Sequence, residues 1–267
     1  MASGGVGQGK RLTRLSGPAV AATLWALCSL WLMSAATAAA QPPPGAGRGA
    51  PPQNGQAGAA IDLTGYWVSV VTEDWRYRMV TPPKGEYGGV TMTAAGRQIA
   101  GAWDPAKDEA DGNQCKSYGA AGVMRMPGFL HVTWENANTL RMDTSAGTQT
   151  RLFHFGAAAP PPGEPGWQGY SAAEWERAAG QPRTGNLKVV TTRMKPGYVR
   201  KNGVPYGAST ILTEWYDRVT TPTGDTWINV TTEVNDPQYL AGPFVTTSHF
   251  KKLPDGSRFK PEACSAR

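Results

Sequence analysis

Cysteine and histidine are both scarce here, at three of each in 267 residues. The histidines, His131, His154 and His249, fall on three separate strand-like runs with no H-x-H spacing, so no zinc site is expected. Basic clusters are missing as well. No run of Lys and Arg is long enough to track a phosphate backbone, which excludes nucleic acid as an expected partner. Long apolar runs are limited to one, Ala19 to Met33, too short and too Ala-rich for a membrane span. Catalytic and cofactor motifs are lacking too, and no cofactor is expected. Gly169-Tyr170-Ser171-Ala172-Ala173 lacks the last Gly of a nucleophile elbow. The acidic stretch from Asp104 to Asn113 breaks the alternation of a calcium loop at Ala106 and Ala110, and reads as a solvated loop.

The first forty residues carry Lys10, Arg11 and Arg14, then the apolar run, then small residues ending in Ala38-Ala39-Ala40. That order is expected of a secretory signal peptide at 1–40, with Gln41 as the new N-terminus. Leu27 ahead of Cys28 makes a poor lipidation site, so export as a soluble protein to the periplasm or the exterior is expected. Losing those three cations lowers the formal net charge of +6 to +3. It also leaves Cys115 and Cys264, which in an oxidising compartment read as one disulfide. Residues 41–60 are Pro, Gly, Gln and Ala, a composition that buries no core and predicts a disordered spacer. Residues 61–267 remain for one folded domain.

That domain reads as strands. Thr, Val, Ile and aromatics fill Thr210–Thr220, Thr226–Val234 and Phe244–Lys252, with Pro, Gly, Asn and Asp in the gaps, which is an antiparallel meander. Further strands are expected at Ala121–Met126, Phe129–Glu135, Thr139–Asp143, Thr148–Phe155 and Leu187–Met194. Thr93–Trp103 reads as a helix capped by Thr93 and stopped near Pro105. Ser171-Ala172-Ala173-Glu174 spells a capping box for a second helix, ending near Gly180. Lys195 to Gly207 reads as a loop. Gly65-Tyr66-Trp67 resembles the opening of lipocalin-like barrels. The expected fold is thus all-β: one antiparallel barrel, lipocalin-like in character, of nine or ten strands and two short helices.

From about Cys115 to Lys252 the chain resembles a large family of exported bacterial β-proteins with no established activity. The matching residues are Met124, Arg125 and Pro127; Gly169, Ser171, Trp175 and Glu176; Leu187, Val189, Val190 and Thr192; and Glu214, Asp236 and Pro237. Ala173 departs from a Gly of that pattern, and Arg177 to Thr184 is inserted where the family has a tight turn. The resemblance implies one exported all-β domain and no particular chemistry.

If Pro222 and Asp225 face each other across the first turn of the meander, Glu214 lies opposite Glu233. Tyr216 and Arg218 then share their face, with His249 nearby. Two adjacent carboxylates in a barrel would share a proton, so Glu214 and Glu233 are the catalytic candidates. The same face turned to water would be inert. Trp67, Trp227, Tyr216, Arg218 and His249 are the candidate ligand-binding residues, since aromatic walls suit apolar or sugar ligands. The leading expectation is a binder of a small, largely apolar molecule. The alternatives are a cofactor-independent lyase, isomerase or hydrolase, and a structural envelope protein without a pocket.

Overall fold

Alternation of apolar and polar residues dictates the strands, and each strand turns its apolar set inward. The computed structural model describes residues 55–156, 160, 162–179 and 181–267. The expected signal peptide and most of the expected spacer lie outside the described residues. In chain order the elements are β1 (Gly65–Val70), α1 (Trp75–Arg78), α2 (Ala94–Gly101), α3 (Pro105–Ala110) and α4 (Ala120–Val123). Then come β2 (Phe129–Asn136), β3 (Thr139–Thr144), β4 (Gln149–Phe155), β5 (Tyr170–Ala178) and β6 (Gln181–Thr192). The last are β7 (Gly197–Arg200), β8 (Val204–Tyr206), β9 (Ile211–Thr220), β10 (Thr226–Asn235) and β11 (Phe244–Leu253).

Nine strands close a barrel in the order β1-β11-β10-β9-β6-β5-β4-β3-β2, and β7 and β8 form a separate two-stranded ribbon. A ring with an odd number of strands cannot alternate direction all the way round. The barrel is therefore mixed rather than wholly antiparallel: β4 and β5 run parallel, with Phe153 opposite Ser171, while the other pairs are antiparallel. Inside lie Trp67, Leu130, Val132, Met142, Phe153, Leu187, Val189, Tyr216, Ile228, Val230 and Phe250, each at most 3% exposed. The interior is filled by its own side chains.

One end is closed by a cap that carries its own apolar cluster. Met92, Ala100, Ala120, Val199, Tyr206, Leu240 and Phe244 are its main members, drawn from α2 and the segment before it, α4, the ribbon, the loop before β11 and the first residue of β11. At the other end Gly55, six residues ahead of Ile61, is in contact with the barrel. Gly55 O accepts from Trp175 Nε1 at 2.7 Å and Gly55 N donates to Asn138 Oδ1 at 3.1 Å. Cys115 and Cys264 are joined, 149 residues apart, and hold the C-terminal tail against the cap end.

Several local expectations are corrected. The Ser171 helix is strand β5. Ser171 and Ala173 are buried in alternation, and Ser171 Oγ lies 2.7 Å from Thr191 Oγ1 on β6 instead of capping a helix. Pairing on both edges outweighs the local capping signal. The strand expected at Ala121–Met126 is α4, in keeping with its alanines. The acidic loop contains α3, capped by Asp104, whose carboxylate accepts from Ala106 N at 3.0 Å and has Pro105 behind it. The Lys195–Gly207 loop contains β7 and β8. Thr93 caps α2 as expected, its Oγ1 accepting from Gly96 N at 3.1 Å.

Candidate functional site

The register of the β9–β10 hairpin places Glu214 opposite Thr232, and Glu233 opposite Thr213. The loop holds five residues, 221–225, closed by Thr221 N to Asp225 O at 2.8 Å, with Gly224 at φ +89°. One residue more than a Pro222–Asp225 turn slips the pairing by one, which puts Glu214 and Glu233 on opposite faces of the hairpin. Glu214 and Glu233 are therefore not side by side: Glu214 is fully buried in the lumen and Glu233 sits on the outer wall.

Glu214 is instead held by Arg151 of β4, across the lumen. The pair is bidentate, with Nη1 to Oε1 at 2.9 Å and Nη2 to Oε2 at 2.5 Å, and both side chains are fully buried. Tyr216 OH lies 3.3 Å from Nη1, and Thr191 Oγ1 lies 3.3 Å from Nη2. Burial pulls the Arg151 guanidinium down, but the charge of Glu214 and the bonds around it leave it above its ordinary value. Burial, with Glu214 beside it, pushes the Tyr216 hydroxyl well up. Both carboxylate oxygens are committed to Arg151, an arrangement that braces the barrel.

The other candidate residues are dispersed. Trp67 lies in the filled lumen, its Nε1 donating to Leu63 O at 3.0 Å, and Tyr216 lies there too. Arg218 is exposed near the mouth opposite the cap. Trp227 and His249 are on the outer wall. Lys251 Nζ lies 5.8 Å from the Trp227 ring centre. His249 Nδ1 is 2.8 Å from Asn229 Oδ1, and its Nε2 is 3.3 Å from Glu73 Oε2. His131 stacks on Tyr66 and His154 on Tyr170.

A cleft of about 230 Å³ opens instead between the barrel rim and the cap. Its walls include Tyr77, Tyr118, Met126, Pro127, Ala146 and Val199, with Glu262 and Ala263 of the tail at one side. Met79 and Val80 reach it from the segment after α1; they are 57% and 69% exposed, and Trp75 on the same turn is 64% exposed. Apolar side chains this open, gathered on one short segment, mark a contact surface.

Three arginines from distant segments complete the lining: Arg78 at the end of α1, Arg125 after α4 and Arg200 at the end of β7. They are 6%, 5% and 2% exposed. Arg78 Nη1 meets Glu73 at 2.5 Å and its Nε donates to Arg125 O at 2.9 Å. Arg125 Nη2 meets Asp74 at 3.0 Å. Arg200 Nη1 donates to Gly88 O at 2.9 Å, and the guanidinium stacks 4.2 Å from the Tyr77 ring centre. Yet Arg78 Nη2, Arg125 Nη1 and Arg200 Nε are buried and without a partner. A buried donor left unpaired costs about 1–3 kcal/mol. Burial lowers all three, and Arg125's charge lowers its two neighbours further. Sequence spacing gave no sign of this convergence; only Arg125 stood in a quoted motif, beside Met124 and Pro127.

A second cavity of about 350 Å³ lies at the opposite mouth, where Ile61, Leu63, Trp134, Leu140 and Trp175 line it with Gln56 and Asp62. It has no counterpart to the three arginines in its lining.

Among the described residues no helix is long and apolar enough to cross a membrane. No protein-family model matches the chain, and no curated protein matches it either. The functional reading therefore stands on the residues themselves.

Proposed function

We propose that this is an exported binding protein for a small, largely apolar molecule, held in the cleft between barrel rim and cap. The carrying observation is the pair of open apolar side chains Met79 and Val80 at a cleft whose walls also hold Tyr77, Tyr118, Met126, Pro127 and Val199. A volume near 230 Å³ is below the ~300–1,000 Å³ typical of drug-sized ligands, which favours a small guest. The barrel interior is full, so the guest sits at the rim and not in a lipocalin-type lumen. The Cys115–Cys264 pairing supports the export part of this reading.

The test is titration with primary alcohols of four to ten carbons, read by tryptophan fluorescence. The expected result is saturable binding that strengthens with chain length and weakens at least tenfold in Val80→Asp. No saturation by any alcohol, or equal binding by Val80→Asp, overturns the reading.

A further inference from the structure

We infer that the guest of this cleft carries a single negative charge, and that Arg78, Arg125 and Arg200 together receive its carboxylate. The inference rests on the cleft reading above and names the chemical class of the ligand.

Three observations carry it. First, each arginine is at least nine-tenths buried and each keeps one N–H without a partner, at Arg78 Nη2, Arg125 Nη1 and Arg200 Nε. Buried donors in proteins are almost always satisfied, so an orphan on each of three arginines that line one cleft points to an acceptor that comes from outside the chain. Guanidinium groups suit a carboxylate in particular, because their planar N–H forks match its two oxygens.

Second, the charges do not balance. Glu73 answers Arg78 and Asp74 answers Arg125, while the contact of Arg200 is the neutral Gly88 carbonyl. Glu86 is taken by Arg76 at 2.8 Å. At the outer edge Lys201 Nζ donates to Arg267 O, and Glu262 lies on the same wall of the cleft. Among the described residues, Arg200 is the one of the three arginines without an ion-pair partner. A monocarboxylate neutralises it; a phosphate dianion would leave an excess negative charge in a desolvated place, which is disfavoured.

Third, part of the remaining lining is apolar. Met79, Val80, Met126 and Pro127 stand where the body of the molecule would lie once its charged end reaches the arginines. Acid at one end and hydrocarbon at the other is the complement of this cleft.

The test compares each alcohol of the series with the acid of the same carbon number, by calorimetry on the full chain, with inorganic phosphate as the charged control. The expected result is an acid binding at least tenfold more tightly than its alcohol, and phosphate binding weakly. Arg200→Gln is expected to lower acid affinity at least tenfold more than alcohol affinity, which removes that preference. Asp74→Asn supplies a second variant that should fold, because Asp74 lies at φ 49° and asparagine accepts that backbone well. It leaves the arginines with one more uncompensated charge, so acids should bind at least threefold more tightly and alcohols should not change. Equal affinity for acid and alcohol, phosphate outcompeting every acid, or an Asp74→Asn protein with unaltered acid binding each overturns the carboxylate inference. Binding of neither acid nor alcohol overturns the cleft reading itself.

Discussion

Arg151 and Glu214 illustrate how much one side chain's direction matters. Glu214 stood out from sequence as half of a carboxylate pair, but which face of its strand is buried was not legible there. Its partner was not visible, because Arg151 lies 63 residues away on a strand that reaches it only when the barrel closes. A buried ion pair of this kind contributes little against a hydrophobic replacement, but removal of one member strands the other charge. Glu214→Gln is therefore expected to destabilise by about 3–5 kcal/mol, measured by urea unfolding. Arg151→Met with Glu214→Leu should recover most of that loss. A single variant as stable as the parent would show that the pair does not brace the lumen.

At the scale of elements, the strands of the meander were legible because their composition, their turns and their two-residue period agree. The register was not, since it hung on whether four or five residues made the turn. Ser171-Ala172-Ala173-Glu174 carries a real capping signal that yields to pairing with both β4 and β6. The α4 helix shows tertiary constraint from the other side. A Cβ at Gly122 would lie 2.5 Å from Ser117 O and 2.8 Å from Tyr198 O, both backbone atoms with no freedom to retreat. In an isolated helix Gly→Ala gains about 1 kcal/mol. Here Gly122→Ala is expected to reverse that sign and cost about 1–3 kcal/mol through overpacking, read as a lowered thermal midpoint. A stabilised variant would show that the ribbon can shift away from α4.

For the whole molecule the tail bridge is the largest single constraint. It closes a span of 149 residues, for which the chain-entropy relation gives about 5 kcal/mol. It also holds Glu262 and Ala263 at the cleft, where Glu262 N donates to Ser145 O at 2.8 Å and Thr148 Oγ1 donates to Glu262 O at 2.9 Å. Cys264→Ser should lower the midpoint by roughly 10–20 °C, since a domain of this size moves about 2–4 °C per kcal/mol. Circular dichroism of parent and variant, each with and without reductant, checks this. Equal midpoints would show that the tail docks without help from the bond.

Composition and periodicity by themselves determined that residues beyond about 60 form a strand-rich domain, that Cys115 and Cys264 pair, and that Thr93 starts a helix. These are local or nearly combinatorial facts: propensities act within a few residues, and the two cysteines beyond residue 40 allow one pairing. Only tertiary structure decided the mixed closure of the ring, the inward turn of Glu214 toward Arg151, and the gathering of Arg78, Arg125 and Arg200 at one cleft. Each depends on which distant strands become neighbours, and no spacing along the chain encodes that. The arginines show it most clearly, because each alone reads as an ordinary charged residue until the cap folds over the barrel rim and buries all three.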